Sequence, residues 1–125
     1  MAKKTVEKKT EKNVDKKAVK TNKIKVIAKK PGEAPYETSV TNDLKHLQDY
    51  VGGYIEAIRF LEDVCLICNE EGKLLGLEPN FRIGGQYFVG TCFIVGTKDE
   101  EFCDCPIDLK TLRVIFPSMW EVNNG

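Results

Sequence analysis

The feature that most limits how this chain can fold is an abrupt change of texture between residues 22 and 24. Residues 1–22 read MAKKTVEKKTEKNVDKKAVKTN, and their apolar side chains are Met1, Ala2, Val6, Val14, Ala18 and Val19, with no leucine, isoleucine or aromatic residue among them. Burial of so little apolar surface does not offset the conformational entropy lost on ordering the segment, so a disordered arm is expected over 1–22 and a single domain over 23–125. Val6, Val14 and Ala18 fall at multiples of four, which permits a transient helix on a surface but not one that persists alone in water. Charge switches at the same place. Residues 1–30 hold 12 lysines against three acids, a net +9, while residues 31–125 hold 7 basic against 16 acidic residues, a net −9.

From Ile24 onward the hydrophobic periodicity specifies short elements. Ile24, Val26 and Ala28 alternate with Lys25, Ile27 and Lys29 as a strand with one polar-leaning face, and Pro31-Gly32 ends it. A second extended run follows at Tyr36–Val40. Thr41-Asn42-Asp43 is a helix-start signal, Leu44, Leu47 and Val51 form one apolar stripe, and Gly52-Gly53 stops the helix. Tyr54–Phe60 and Val64–Cys68 read as strands, and Asn69-Glu70-Glu71-Gly72 as a turn. Pro79-Asn80 interrupts Leu74–Ile83, where a loop with at most one short helical turn is expected. Gln86–Val95 reads as the longest strand, turned back at Lys98-Asp99-Glu100 into Glu101–Cys105. Pro106 suits the first position of a final helix carrying Leu109, Leu112 and Phe116 on one face, and Pro117 ends it. The fold class that follows is α+β: a mostly antiparallel sheet with two helices on one face, preceded by the lysine-rich arm.

The chemistry-bearing residues do not assemble into a recognisable active site. Cys65-Leu66-Ile67-Cys68 has the CxxC spacing of zinc sites, and Cys103-Asp104-Cys105 adds two thiols. A strand, however, points side chains three apart to opposite faces, so Cys65 and Cys68 are read as buried free thiols and no metal is expected. The lone histidine, His46, falls one residue off the apolar stripe of its helix, on the surface, without a cysteine partner. Glu70-Glu71 and Glu100-Glu101 are read as solvated turns. No nucleophile elbow, phosphate-binding Gly-rich loop or dinucleotide fingerprint is present, and no cofactor is expected. An enzyme is therefore disfavoured. Gly52-Gly53-Tyr54 and Gly84-Gly85-Gln86-Tyr87 are turn sequences beside aromatics, where bare backbone amides offer a concave spot for an anion or a partner backbone.

The chain also shows no apolar run of the length a membrane helix needs and no secretory signal, and its five cysteines are an odd number. A reducing, cytoplasmic setting is expected on those grounds. The arm implies a partner of its own. Lys3, Lys4, Lys8, Lys9, Lys12, Lys16, Lys17 and Lys20 are dense enough to collect around nucleic-acid phosphates or an acidic partner, without the arginines and aromatics that sequence-specific readout uses. The competing reading of the arm is a solubilising tail.

Four short motifs carry a family likeness. Val51-Gly52-Gly53-Tyr54-Ile55-Glu56, Asn69-Glu70-Glu71-Gly72-Lys73-Leu74, Leu77-Glu78-Pro79-Asn80 and Val89-Gly90-Thr91-Cys92-Phe93-Ile94-Val95 occur in that order, and the body from about Ile24 to the final helix resembles the domain of unknown function 3846 family. The resemblance implies a small protein of a bacterium, phage or mobile element and brings no catalytic residues with it. The expected function is then a non-enzymatic accessory binding protein of a phage or mobile element. It would antagonise host defence by binding a host protein or by sequestering a small anionic, nucleotide-like ligand. The expected ligand-binding positions are Gly52, Gly53, Tyr54, Asn69, Glu70, Lys73, Asn80 and Arg82, where motif glycines and polar groups cluster. The alternative is a nonspecific nucleic-acid-associated protein held by the arm.

Overall fold

The computed structural model describes residues 22–121, so the arm and the last four residues lie outside the described part. Strands β1 (Lys23–Lys29), β2 (Tyr36–Thr41), β3 (Ile55–Leu61), β4 (Val64–Asn69), β7 (Cys92–Lys98) and β8 (Glu101–Cys103) form one sheet. Its order is β2-β1-β7-β4-β3, with β8 added beside β7, and every pairing is antiparallel. Strands β5 (Pro79–Ile83) and β6 (Gln86–Val89) make a separate two-stranded hairpin. Helices α1 (Leu44–Val51), α2 (Gly72–Leu75) and α3 (Leu109–Ile115) and a 3-10 turn (Pro117–Trp120) complete the described residues. None of these helices is long and apolar enough to cross a membrane.

The mostly antiparallel α+β architecture follows the alternation in the sequence, but both faces of the sheet are covered rather than one. Ile24, Val26, Ala28, Cys65, Ile67, Phe93 and Val95 pack under Leu47 and Val51 of α1. On the opposite face Ile27, Leu66, Cys68, Cys92 and Ile94 pack against Phe81 and Phe88 of the hairpin, Leu112 of α3 and Met119. The helices are therefore three, with a 3-10 turn, and they lie on both sides. The central strands β4 and β7 are consequently apolar on both faces, the pattern of a fully buried strand. Cys65 and Cys68 face different cores, as their three-residue spacing in a strand dictates.

Several boundaries differ from the sequence expectation for identifiable reasons. The expected long strand Gln86–Val95 is two strands in two sheets, broken at Gly90. Its φ of 74° is open to glycine at little cost, and a Cβ there would lie 2.7 Å from Leu77 Cδ1. The expected loop before Ile83 contains β5. Its Pro79 opens an edge strand, where no ladder N–H is required. Helix α1 is capped by Asp43, whose carboxylate accepts the His46 N–H at 2.8 Å, and is closed by Gly52 in the left-handed conformation. Leu44 is the exception to its stripe, since it projects into solvent and only Leu47 and Val51 are buried. The final helix starts after Asp108, which caps the Thr111 N–H at 2.8 Å, and not at Pro106. Pro117 ends it and begins the 3-10 turn. Strand β8 stops at Cys103, two residues earlier than the alternation suggests.

Candidate functional site

The most elaborated surface of the described residues is built around one buried amide at the end of β4. Asn69 follows the apolar run Val64–Cys68 and is itself buried. Its Nδ2 donates to Val51 O at 3.1 Å, and its Oδ1 accepts the Glu71 N–H at 2.7 Å. The Glu70 N–H donates to Tyr54 O at 2.8 Å. The Asn69 side chain thus ties the end of α1 to the turn after β4, and the Glu70 backbone ties that turn to the entry of β3. Gly53 is required for this closeness, because a Cβ there would lie 2.9 Å from Asn69 Nδ2. A buried amide with both its ends used stabilises such a junction by more than the ~1 kcal/mol of an average hydrogen bond, because either group left unpaired carries its full desolvation cost.

The turn leads into α2, which stands as a ridge on the surface. Its base is fixed at Gly72, which is buried against Val89 of the hairpin. Its crest exposes large apolar side chains: Leu74 is 87% exposed and Leu75 58%. Tyr54 (65%) and Tyr87 (50%) flank it. On one side is a depression of about 310 Å³ lined by Glu56, Ile58, Lys73, Leu74, Gln86 and Tyr87. On the other is one of about 420 Å³ lined by Gln48, Asp49, Gly52, Gly53, Tyr54 and Leu75. Glu71 borders both. Among the described residues lining the two depressions, the carboxylates of Asp49, Glu56, Glu70 and Glu71 outnumber the cation Lys73.

Gly52, Gly53, Tyr54, Asn69, Glu70 and Lys73, expected together from their motifs, are brought to this one ridge. Asn80 is placed beneath the hairpin instead. Its Nδ2 donates to Lys29 O at 2.8 Å and to Gly90 O at 2.7 Å, and its buried Oδ1 has no hydrogen-bond partner among the described residues. Arg82 lies on the exposed side of the hairpin with its guanidinium 4.5 Å from the centroid of the Tyr87 ring, so it reaches the ridge only through that ring. Lys3, Lys4, Lys8, Lys9, Lys12, Lys16, Lys17 and Lys20 lie outside the described residues. Leu74, Leu75 and Tyr87 are not among the expected ligand-binding positions, although Leu74 closes one motif and Tyr87 stands beside the Gly84-Gly85 turn. An apolar pair directly after an acidic turn was the available signal for the first two, whereas Tyr87 arrives only by the folding of the hairpin.

The groups with reactive chemistry are placed where they are quiet. Burial pushes the Cys68 thiol up to about 11, with Glu56 adding to the rise and Lys73 opposing it. Burial likewise pushes the Cys92 thiol up to about 12, with Cys68 adding to it and Asn80 and Lys29 opposing. Both are therefore neutral thiols near pH 7, poor nucleophiles and poor metal ligands. His46 is exposed, and its Nδ1 lies 2.8 and 2.9 Å from the two oxygens of Asp43. Although slight burial pushes the Asp43 carboxyl upward, the His46 N–H and ring more than offset it, so the group lies below its ordinary value. Glu70, Glu71, Glu100 and Glu101 are all exposed. Among the described residues no three His, Cys, Asp or Glu side chains are grouped to hold a metal ion.

One buried charge was not expected. Lys29 is 2% exposed, with its Nζ donating to Lys30 O at 2.9 Å. Burial lowers its pKa, opposed by Cys92 and Glu33. In the alternation it read as part of a polar-leaning face, but the β5–β6 hairpin covers that face.

A family model described as Domain of unknown function (DUF3846) matches residues 24–115. The match opens at the first core residue of β1 and closes at the last residue of α3, and it contains the whole ridge. No curated protein and no solved structure matches the chain.

Proposed function

The chain belongs to the domain of unknown function 3846 family, and we propose that it is a non-enzymatic accessory binding protein of a phage or mobile element that docks on a host protein through the α2 ridge. The observation that carries this reading is the ridge itself, where Leu74 and Leu75 on the crest and Tyr54 and Tyr87 on its flanks stay largely exposed over a base fastened by Asn69. A contiguous exposed apolar group rimmed by charge is the usual composition of a protein-binding surface, and aromatic anchors supply most of the energy there. Charge supports a protein partner over a small anion. Among the described lining residues a small anionic ligand would meet Asp49, Glu56, Glu70 and Glu71 against Lys73, whereas a partner with a basic rim and apolar centre is complementary. Raised pKa values, which leave the Cys68 and Cys92 thiols neutral near pH 7, favour binding over turnover. The phage or mobile-element setting and the antagonism of host defence rest on the family likeness.

The test is retention of a host protein from cell lysate by the tagged full chain, compared with Leu74→Ser/Tyr87→Ser. Both side chains are exposed, so the variant keeps the fold. The reading expects a retained protein that the variant loses. Equal retention by both chains, or retention of a nucleotide-type ligand in place of a protein, overturns it.

A further inference from the structure

A second exposed apolar surface lies on the outer side of α3. Leu112 is buried beneath the helix, while Lys110, Arg113 and Val114, at i, i+3 and i+4, share the opposite face. Val114 is 79% exposed, and with Leu109 and Trp120 it lines a shallow apolar depression of about 460 Å³. Arg113 sits 5.7 Å from the Trp120 ring centroid. The two charged groups at this depression are cations.

The two surfaces are opposite in sign and alike in apolar content. They also stand at opposite ends of the sheet. The ridge follows Asn69, the last residue of β4, whereas the end of α3 packs at the Val64 end, where Phe116 meets Phe60 with ring centroids 5.1 Å apart. A six-residue strand spans roughly 17–20 Å, so one molecule cannot close the two surfaces on each other. We infer that the α2 ridge of one copy seats on the α3 face of a second copy, with Glu70 and Glu71 facing Lys110 and Arg113 and Leu74 and Leu75 packing on Val114 and Trp120. This rests on the ridge being a docking surface, and names a second copy of the chain as one of its occupants. Because the surfaces that meet are different, each added copy leaves one ridge and one α3 face free. The assembly therefore grows head-to-tail until it closes or is capped.

The test uses sedimentation of the full chain over a concentration series with two surface variants, Leu74→Ser/Leu75→Ser on the ridge and Arg113→Glu/Val114→Ser on α3. All four side chains are exposed, so folding is kept and is verified by circular dichroism. The wild-type mass should rise with concentration past that of a dimer. Each variant alone should remain monomeric. Their equimolar mixture should form a complex that stops at two chains, since one intact ridge and one intact α3 face remain. A wild-type chain that stays monomeric overturns the inference, as does a mixture that fails to pair or either variant self-associating alone. If the wild type is monomeric while Leu74→Ser/Tyr87→Ser still loses a host protein, the self-association fails and the docking role of the ridge stands.

Discussion

The buried thiols beneath the ridge make the domain sensitive to alkali in a calculable way. Cys68 is raised to about 11 and Cys92 to about 12 in the folded state, against an ordinary value of 9.0. For groups raised by folding, the stability they contribute is fully present below the unfolded pKa and is lost as pH climbs toward the folded values. Between about pH 8 and about pH 10 each unfolded thiol releases close to one proton that the folded chain retains, which costs about 1.4 kcal/mol per thiol and about 3 kcal/mol for the pair. Lys29 acts in the opposite sense. Its pKa is lowered by burial, so the penalty of holding it charged is relieved as pH rises toward its unfolded value of 10.5. The thiol contribution is read by comparing the wild type with Cys68→Ala/Cys92→Ala, both of which keep the buried Lys29 charge to be titrated. Urea unfolding under reducing conditions at the two pH values should show the wild type losing about 3 kcal/mol more than the double variant, although the variant is less stable at both. Cys68 adds to the rise at Cys92, so the pair is replaced together. Equal pH dependence in the two chains would refute the argument that these thiols are desolvated in the fold.

Three further outcomes follow from particular contacts. Asn80→Ala removes the donor to Lys29 O and Gly90 O, which links the hairpin to the sheet; a loss of about 2–4 kcal/mol in urea unfolding is expected. Glu100→Gly should stabilise by about 1 kcal/mol in thermal or urea unfolding, since Glu100 sits at φ 67° in the two-residue β7–β8 turn and glycine adopts that conformation without the side-chain penalty. Asp43→Ala should cost about 1 kcal/mol through loss of the α1 cap, read as a lowered urea midpoint.

Much of the architecture was legible because short-range patterns dictate it. The alternation of Ile24, Val26 and Ala28, the apolar run Val64–Cys68 and the glycine stop at Gly52 each specify local structure regardless of what packs on them. Strand β5 and the split at Gly90 were not legible, because both depend on the hairpin leaving the main sheet to cover its second face. The same event buries Lys29, whose charge read as solvated in the linear pattern. The site divides along the same line. Gly52, Gly53 and Tyr54 lie within one motif and Asn69, Glu70 and Lys73 within another, and the β3–β4 hairpin, with Ile55 opposite Asn69, brings the two together. Tyr87 joins them only through tertiary packing, and Asn80, read as a ligand group from its motif, is placed as a clasp between β5 and the ends of β1 and β6.

If the α2 ridge is a protein-docking surface, its amides should be shielded when a partner is bound. Hydrogen exchange of the full chain, measured with and without the host protein it retains, tests this most directly. Slowed exchange is expected over Gly53–Ile55 and Glu70–Leu75, with Tyr87 in the same footprint. Protection confined to other elements, with the ridge amides exchanging as in the free chain, would contradict it.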